Sequence, residues 1–278
     1  MSRRHRRVSS PALVAGLSLL VAVISSVGAA SSVLAAQIHY GDFGPDLPTG
    51  LLTYTDIRES SGTTQIPPGR FGAPSLSGNT LDFDPTEFVA SGTNGQGQIT
   101  DVQLNGGAQV LRNQSGVAGG MTSISILEGG DFSLVGSGTA GTAVFAGLSA
   151  RLDIFEVDGV AIDPFSITVS SSRNFDLAAD GTSVVQPWDN GVTFDLGAAL
   201  AANDISFQFG VTGLEFVMDD QLIALSESGT AAFIAKKDFV IQTGFDANPD
   251  FVVPEPSTAL LMLGGLAALG WRRQERRD

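Results

Sequence analysis

Along the middle of the chain, apolar side chains return at every second position. Ile124 and Ile126 do so, then Leu148, Ala150, Leu152 and Ile154, then Phe165, Ile167 and Val169, then Val192, Phe194 and Leu196. A period of two places those side chains on one face of an extended strand. Ile205, Phe207, Phe209 and Val211 continue it, with Ser206, Gln208 and Gly210 on the other face. Strands with one apolar and one polar face belong to antiparallel sheets that cover a core on one side. Leu81-Asp82-Phe83-Asp84 alternates in the same way, and Ile99, Val102 and Leu104 predict another buried strand face. Leu214–Val217, Gln221–Leu225 and Gly229–Ile241 predict three further strands.

Between these runs lie residues that favour turns. Asp158-Gly159 separates Ile154–Val157 from Val160–Ile162 and predicts a tight hairpin. Asn105-Gly106-Gly107 predicts a second turn, leading into Ala108–Arg112. Pro67-Pro68-Gly69 marks a turn and Gly92–Gly97 a flexible connector, while residues 37–74 read as irregular strands and loops. There is no amphipathic helix of ordinary length, only one short helical turn at Ala198–Ala202. Many short strands at spacings of about ten residues predict an all-β fold, an antiparallel β-sandwich of which the jelly roll is one form. No internal repeat of about 20–50 residues points to a propeller or solenoid.

The two ends depart from this pattern. Arg3, Arg4, Arg6 and Arg7 precede an apolar run, Leu13–Val27, and small residues around Ala35 and Ala36. Those three regions in that order predict a secretory signal peptide over residues 1–35, cut near Ala35 and Ala36. A single β-sandwich domain is then expected over 36–245, a linker over 246–253 and a separate tail over 254–278. In the tail, Pro254 and Pro256 prevent a helix from starting before Ser257. Ala259–Trp271 is apolar and reaches about 20 Å as a helix, short of the roughly 30 Å of bilayer hydrocarbon. Arg272, Arg273, Arg276 and Arg277 form a basic stop after this marginal transmembrane helix.

Val253-Pro254-Glu255-Pro256, the Gly-rich apolar segment and the terminal arginines together resemble the PEP-CTERM sorting signal of exported proteins in Gram-negative bacteria. The resemblance covers only the tail. It implies a temporary inner-membrane anchor that an exosortase, a membrane transpeptidase-like enzyme, reads and cuts near Pro-Glu-Pro after the secretion machinery has exported the chain. It further implies delivery to the cell surface or extracellular matrix, and association with exopolysaccharide and biofilm material.

Removing both ends changes the charge of what remains. The whole chain carries −14, but eight of its 15 Lys and Arg lie in the two end segments, against only three of its 29 acids. Seven bases and 26 acids remain, a net charge near −19. Such a body offers no basic footprint for nucleic acid and no attraction to anionic lipid. Calcium, a neutral polysaccharide, or solubility outside the cell are compatible with it.

Chemistry is further narrowed by what is scarce. With no cysteine, thiol nucleophiles, thiolate metal sites and disulfides are all excluded. His39 is the sole histidine outside the signal segment, so a polyhistidine zinc site is excluded too. Asp82, Asp84 and Glu87 gather three carboxylates that would suit calcium, or else form a solvated strand face. Asp246, Asn248 and Asp250 imitate the start of an EF-hand loop, but Phe251 stands where glycine is required. Glu215, Asp219 and Asp220 with Glu156 and Asp158 could supply the paired carboxylates of a glycoside hydrolase. Trp188 lies in a polar stretch where an aromatic ring could stack on a sugar or plug the end of a sandwich. The expectation is a non-enzymatic, structural or adhesive exported protein without a cofactor. A carbohydrate-active hydrolase and a calcium-dependent adhesin are the alternatives.

Overall fold

The computed structural model describes residues 36–61, 68–113 and 116–251. The expected signal peptide, Ala35, and the sorting residues Val253, Pro254, Glu255 and Pro256 with the terminal arginines lie outside them. Twelve strands join in one antiparallel hydrogen-bonded network that folds over into two faces. The first face runs, in spatial order, β1 (Gln37–Phe43), β2 (Leu52–Ser60), β6 (Gly97–Val110), β13 (Val211–Leu225), β10 (Ala143–Val157) and β11 (Val160–Asp176). The second runs β12 (Ser183–Asp195), β9 (Gly119–Val135) and β14 (Ala231–Ala247). Beside β14 lie β5 (Val89–Thr93) and β4 (Thr80–Phe83), with β3 (Ser75–Ser77) outermost. A short ribbon, β7 (Arg112–Asn113) with β8 (Gly116–Val117), and one helix, α1 (Leu196–Ala202), complete the described elements.

The two faces are joined in two places. At its first residue β13 leaves its own face, and Val211 pairs with Met121 of β9. At one margin, Ser171 Oγ donates to Asn190 Oδ1 at 2.6 Å and Arg173 Nε to the Asp189 carbonyl at 2.8 Å, so β11 and β12 are tied by side chains. The result is the all-β, sandwich-like sheet that the alternation predicts. Between its faces, Val102, Leu104, Leu148, Leu152, Phe216 and Leu222 meet Ile124, Ile126, Phe194, Ile234 and Ile241, all buried. Phe71, Phe83, Phe88 and Phe239 add an edge-to-face cluster with ring centroids 4.7–5.8 Å apart.

Some turn signals act as expected. Asp158 and Gly159 have φ of 49° and 80°, and they join β10 to β11. Two positive φ values suit the right-handed twist of the flanking strands. The Asp158 carboxylate then accepts N–H bonds from Gln208, Phe209 and Gly210.

Four expectations are corrected. Asn105-Gly106-Gly107 is no turn: β6 runs straight through it, pairing with β13 as Gly106↔Phe216 and with β2 as Asn105↔Arg58. A Cβ on Gly106 would lie 2.4 Å from Ile57 Cδ1 and 2.7 Å from Phe216 Cζ, so the glycine makes room for both side chains. Residues 205–210 are not a strand: Ile205 N–H donates to the Leu200 carbonyl, Asp158 gathers the N–H groups of Gln208, Phe209 and Gly210, and β13 begins only at Val211. The two strands expected over 214–225 are one, with no turn at Asp219-Asp220. Finally, the expected 246–253 linker is partly domain: β14 continues to Ala247, Asn248 N–H donates to the Ala118 carbonyl, and Phe251 packs on the core.

Candidate functional site

Outward-facing side chains of the first face build a shallow groove of about 410 Å³. The registers of β6, β13, β10 and β11 align two rows across four strands: Asp101, Gln221, Gly147 and Ser172, then Gln103, Asp219, Ser149 and Ser170. These rows are polar because the same strands turn Val102, Leu222, Asp220, Leu148 and Val169 the other way, the period of two at work on both sides. Phe145 closes one end and lies over Gly147, where a Cβ would meet its Cε1 at 2.6 Å. The lack of a side chain at Gly147 thus leaves the half-buried ring beside the groove floor.

The electrostatics of the groove come from Asp101 and Asp219, diagonal neighbours on one face. Gln103 Nε2 donates to Asp219 Oδ1 at 2.8 Å. Partial burial, then the charge of Asp219, push the Asp101 carboxyl above its ordinary range. The arrangement offers hydroxyl, amide and carboxylate groups and one aromatic surface. That is a set for hydrogen bonding and stacking against a polyhydroxylated ligand.

The residues singled out in the sequence are dispersed. Trp188 is 4% exposed and its indole Nε1–H donates to the Ala235 carbonyl at 3.1 Å, which places it inside the sandwich and away from the groove. Asp82 is on β4; burial, then Asp84 and Asp238, raise its carboxyl. Glu87 is exposed and turns to Arg70 at 3.5 Å. Among the described residues no three His, Asp or Glu side chains converge as a metal site requires. Asn248 Nδ2 bonds the Val117 carbonyl, so the EF-hand-like segment is a strand end packed on the domain.

The carboxylates considered for hydrolysis separate likewise. Glu156 pairs with Arg112 and accepts from Thr212, Asp158 caps the 208–210 backbone, and Asp220 points into the core. Only Asp219 lies in the groove, with Glu215 on the same face two strand repeats away. His39 is exposed, 3.5 Å from Asp56. Sequence reading passes over Phe145 and Asp101. The usable signal was Phe145 itself, an aromatic residue at an outward position of an otherwise alternating strand.

What the structure does not describe, similarity supplies. Residues 252–277 match a known sorting family. The tail carries a PEP-CTERM protein-sorting motif. A PEP-CTERM tail marks an exported protein of Gram-negative-type bacteria that an exosortase-like membrane enzyme processes. Among the described residues, no helix is long and apolar enough to cross a membrane. No curated protein matches the chain. Among solved structures, TmCBM61 in complex with β-1,4-galactotriose is similar at 8% identity, over 63% of this chain and 92% of that one, with a TM-score of 0.21. The D431N mutant VP2 protein of infectious bursal disease virus is similar at 12% identity over 77% of this chain and 57% of that one, with a TM-score of 0.10.

Proposed function

We propose that the protein is a non-enzymatic component of the cell surface or extracellular matrix, which holds hydroxyl-rich exopolysaccharide in the groove around Phe145. The observation that carries this reading is the pair of Asp, Gln and Ser rows laid across four strands beside one aromatic ring. Two further facts support it. The acidic body suits a neutral polymer better than an anionic one, and the PEP-CTERM tail routes the chain through the export pathway. Adhesion would come from many weak contacts along a polymer.

The test is affinity electrophoresis or calorimetry of the exported protein with the producing cell's own polysaccharide. Binding should weaken at least about tenfold in Phe145→Ala, the loss of one stacking contact plus buried area. Thermal stability should hardly move, because that ring lies on the outer face. Equal binding by wild type and Phe145→Ala, or none by either, would remove the reading. Sorting is checked separately: mass spectrometry should find the tail lost near Pro254–Pro256 only when the exosortase-like enzyme is present.

One observation favours a hydrolase as the second reading, namely two neighbouring carboxyls in one groove, Asp101 and Asp219, with burial and then the Asp219 charge raising the Asp101 carboxyl. Glycoside hydrolysis uses two carboxyls flanking the scissile bond, one of them with a raised pKa. In that case the polysaccharide is shortened, and Asp219→Asn keeps binding but stops the shortening. A polymer of unchanged length after long incubation leaves only the binding reading.

A further inference from the structure

Three ionisable side chains from three strands meet in the core. Lys236 of β14 is fully buried and contacts both Glu128 of β9 and Asp220 of β13, which are themselves fully buried. Phe71, Phe88 and Phe239 surround the ammonium, with ring centroids 5.7, 4.8 and 5.1 Å from Nζ. Water is thereby kept away from the trio.

The two carboxyls differ in their other contacts. Glu128 Oε1 accepts from Asn190 Nδ2 at 2.7 Å, and Asn190 is held in turn by Ser171. Oδ1 of Asp220 has no hydrogen-bond partner among the described residues, although it is buried. A buried carboxylate oxygen left bare is strongly unfavourable, and a pair of carboxylates on one lysine leaves a surplus negative charge in a dry core. Protonation of one removes that surplus, and Asp220 is the one that takes it. Burial, and the Glu128 charge against the pull of Lys236, push its carboxyl well above the ordinary range. Burial also opposes ionisation of Glu128, but the Lys236 ammonium and the bonds from Lys236 and Asn190 win, leaving it below the ordinary range.

An amine, an anionic base and a neutral carboxylic acid in contact within an apolar chamber are the reactants of amide formation. We infer that Lys236 Nζ and Asp220 Cγ join in an intramolecular amide bond, with Glu128 moving the protons. Glu128 first takes a proton from the ammonium, which leaves three neutral groups and a free lone pair on Nζ. Nζ attacks Cγ of Asp220, and a C–N bond forms as the carbonyl electrons move to oxygen. Glu128 then gives its proton to the departing hydroxyl and receives one from the attached nitrogen. The C–O bond breaks and one water leaves. Of the four protons that begin on Lys236 and Asp220, two leave in water, one stays on the amide nitrogen and one ends on Glu128. No oxidant, metal or co-reactant is needed, and contact within the folded core replaces external activation.

The bond would tie β13 of one face to β14 of the other and close the chain between residues 220 and 236. For an exported protein without cysteine, it is a covalent brace that needs no oxidising partner.

The test is mass spectrometry on the full exported chain. After denaturation, a Glu-specific protease cuts at Glu227, between the two residues. The Asp220 and Lys236 fragments are expected to stay joined, with a combined mass lower by one water than the sum of the free peptides. Lys236→Met and Asp220→Ala should give separate fragments at full mass. Glu128→Gln, close in shape, should fold by circular dichroism and stay unjoined. Free wild-type fragments at full mass would overturn the inference whether or not any variant folds. So would a joint at Glu128 instead of Asp220. A water loss that persists in Lys236→Met would also overturn it, placing the dehydration elsewhere, such as at Asp158-Gly159.

Discussion

Gly106 is where the structure and the local sequence signal disagree most sharply, and Gly106→Ala decides between them. In the structure the added methyl would stand 2.4 Å from Ile57 Cδ1, 2.7 Å from Phe216 Cζ and 3.2 Å from Cε2, inside a core where Ile57 is 0% and Phe216 1% exposed. Forcing one methyl into a packed interior costs about 1–3 kcal/mol. Replacing glycine by alanine in an extended segment returns about 0.5–1 kcal/mol. The net loss is then up to about 2.5 kcal/mol, and the melting temperature of a domain of this size should fall by up to roughly 10 °C. Phe216→Leu alone should lose about 1 kcal/mol or somewhat more. Combined, the two changes should cost less than their sum by more than about 0.5 kcal/mol, since the shorter side chain vacates the Phe216 part of the space that the methyl needs while Ile57 keeps the rest. Urea unfolding of the four proteins measures this coupling. Were Gly106 a turn residue, Gly106→Ala would still be costly but Phe216→Leu could not relieve it. Strict additivity within about 0.5 kcal/mol would therefore refute the packing argument.

The remaining predictions concern other parts of the fold. The chain has two tyrosines, and burial raises both: Tyr40 well above its ordinary value, with Glu59 contributing, and Tyr54 to about 12. Ultraviolet titration should show no tyrosinate near pH 10 in the folded protein and two in urea. Their stabilisation, complete below the ordinary value of about 10, should fade as pH climbs through the raised values; two normal titrations in the native state would contradict the burial. Asp158→Ala strips three N–H donors of their acceptor and should lower stability by about 1–3 kcal/mol in urea unfolding, whereas the neighbouring exposed Val160→Ala should lie within about 0.5 kcal/mol. Trp188 is the only tryptophan left once the tail is cut, so the processed protein should emit at blue-shifted wavelengths, with acrylamide quenching it only weakly until it unfolds.

What the chain determines by itself is the local period. Leu148, Ala150, Leu152 and Ile154 alternate, and they do line a core; Asp158-Gly159 demands positive φ, and it does turn the chain. The tail is legible for the same reason, since Pro-Glu-Pro, an apolar run and arginines act through their order along the chain. Neighbours distant in sequence were decided only by tertiary structure. Gly106 reads as a turn until Phe216 is set opposite it, and Asp219-Asp220 reads as a break between strands until Lys236 is found behind Asp220. The groove is likewise invisible in one dimension, because Asp101, Phe145, Ser172 and Asp219 become neighbours only through the register of four strands. Alternation tells each strand which side chains point together. Which strands lie side by side, and which charges then meet in the core, is settled by long-range pairing that no short stretch of sequence encodes.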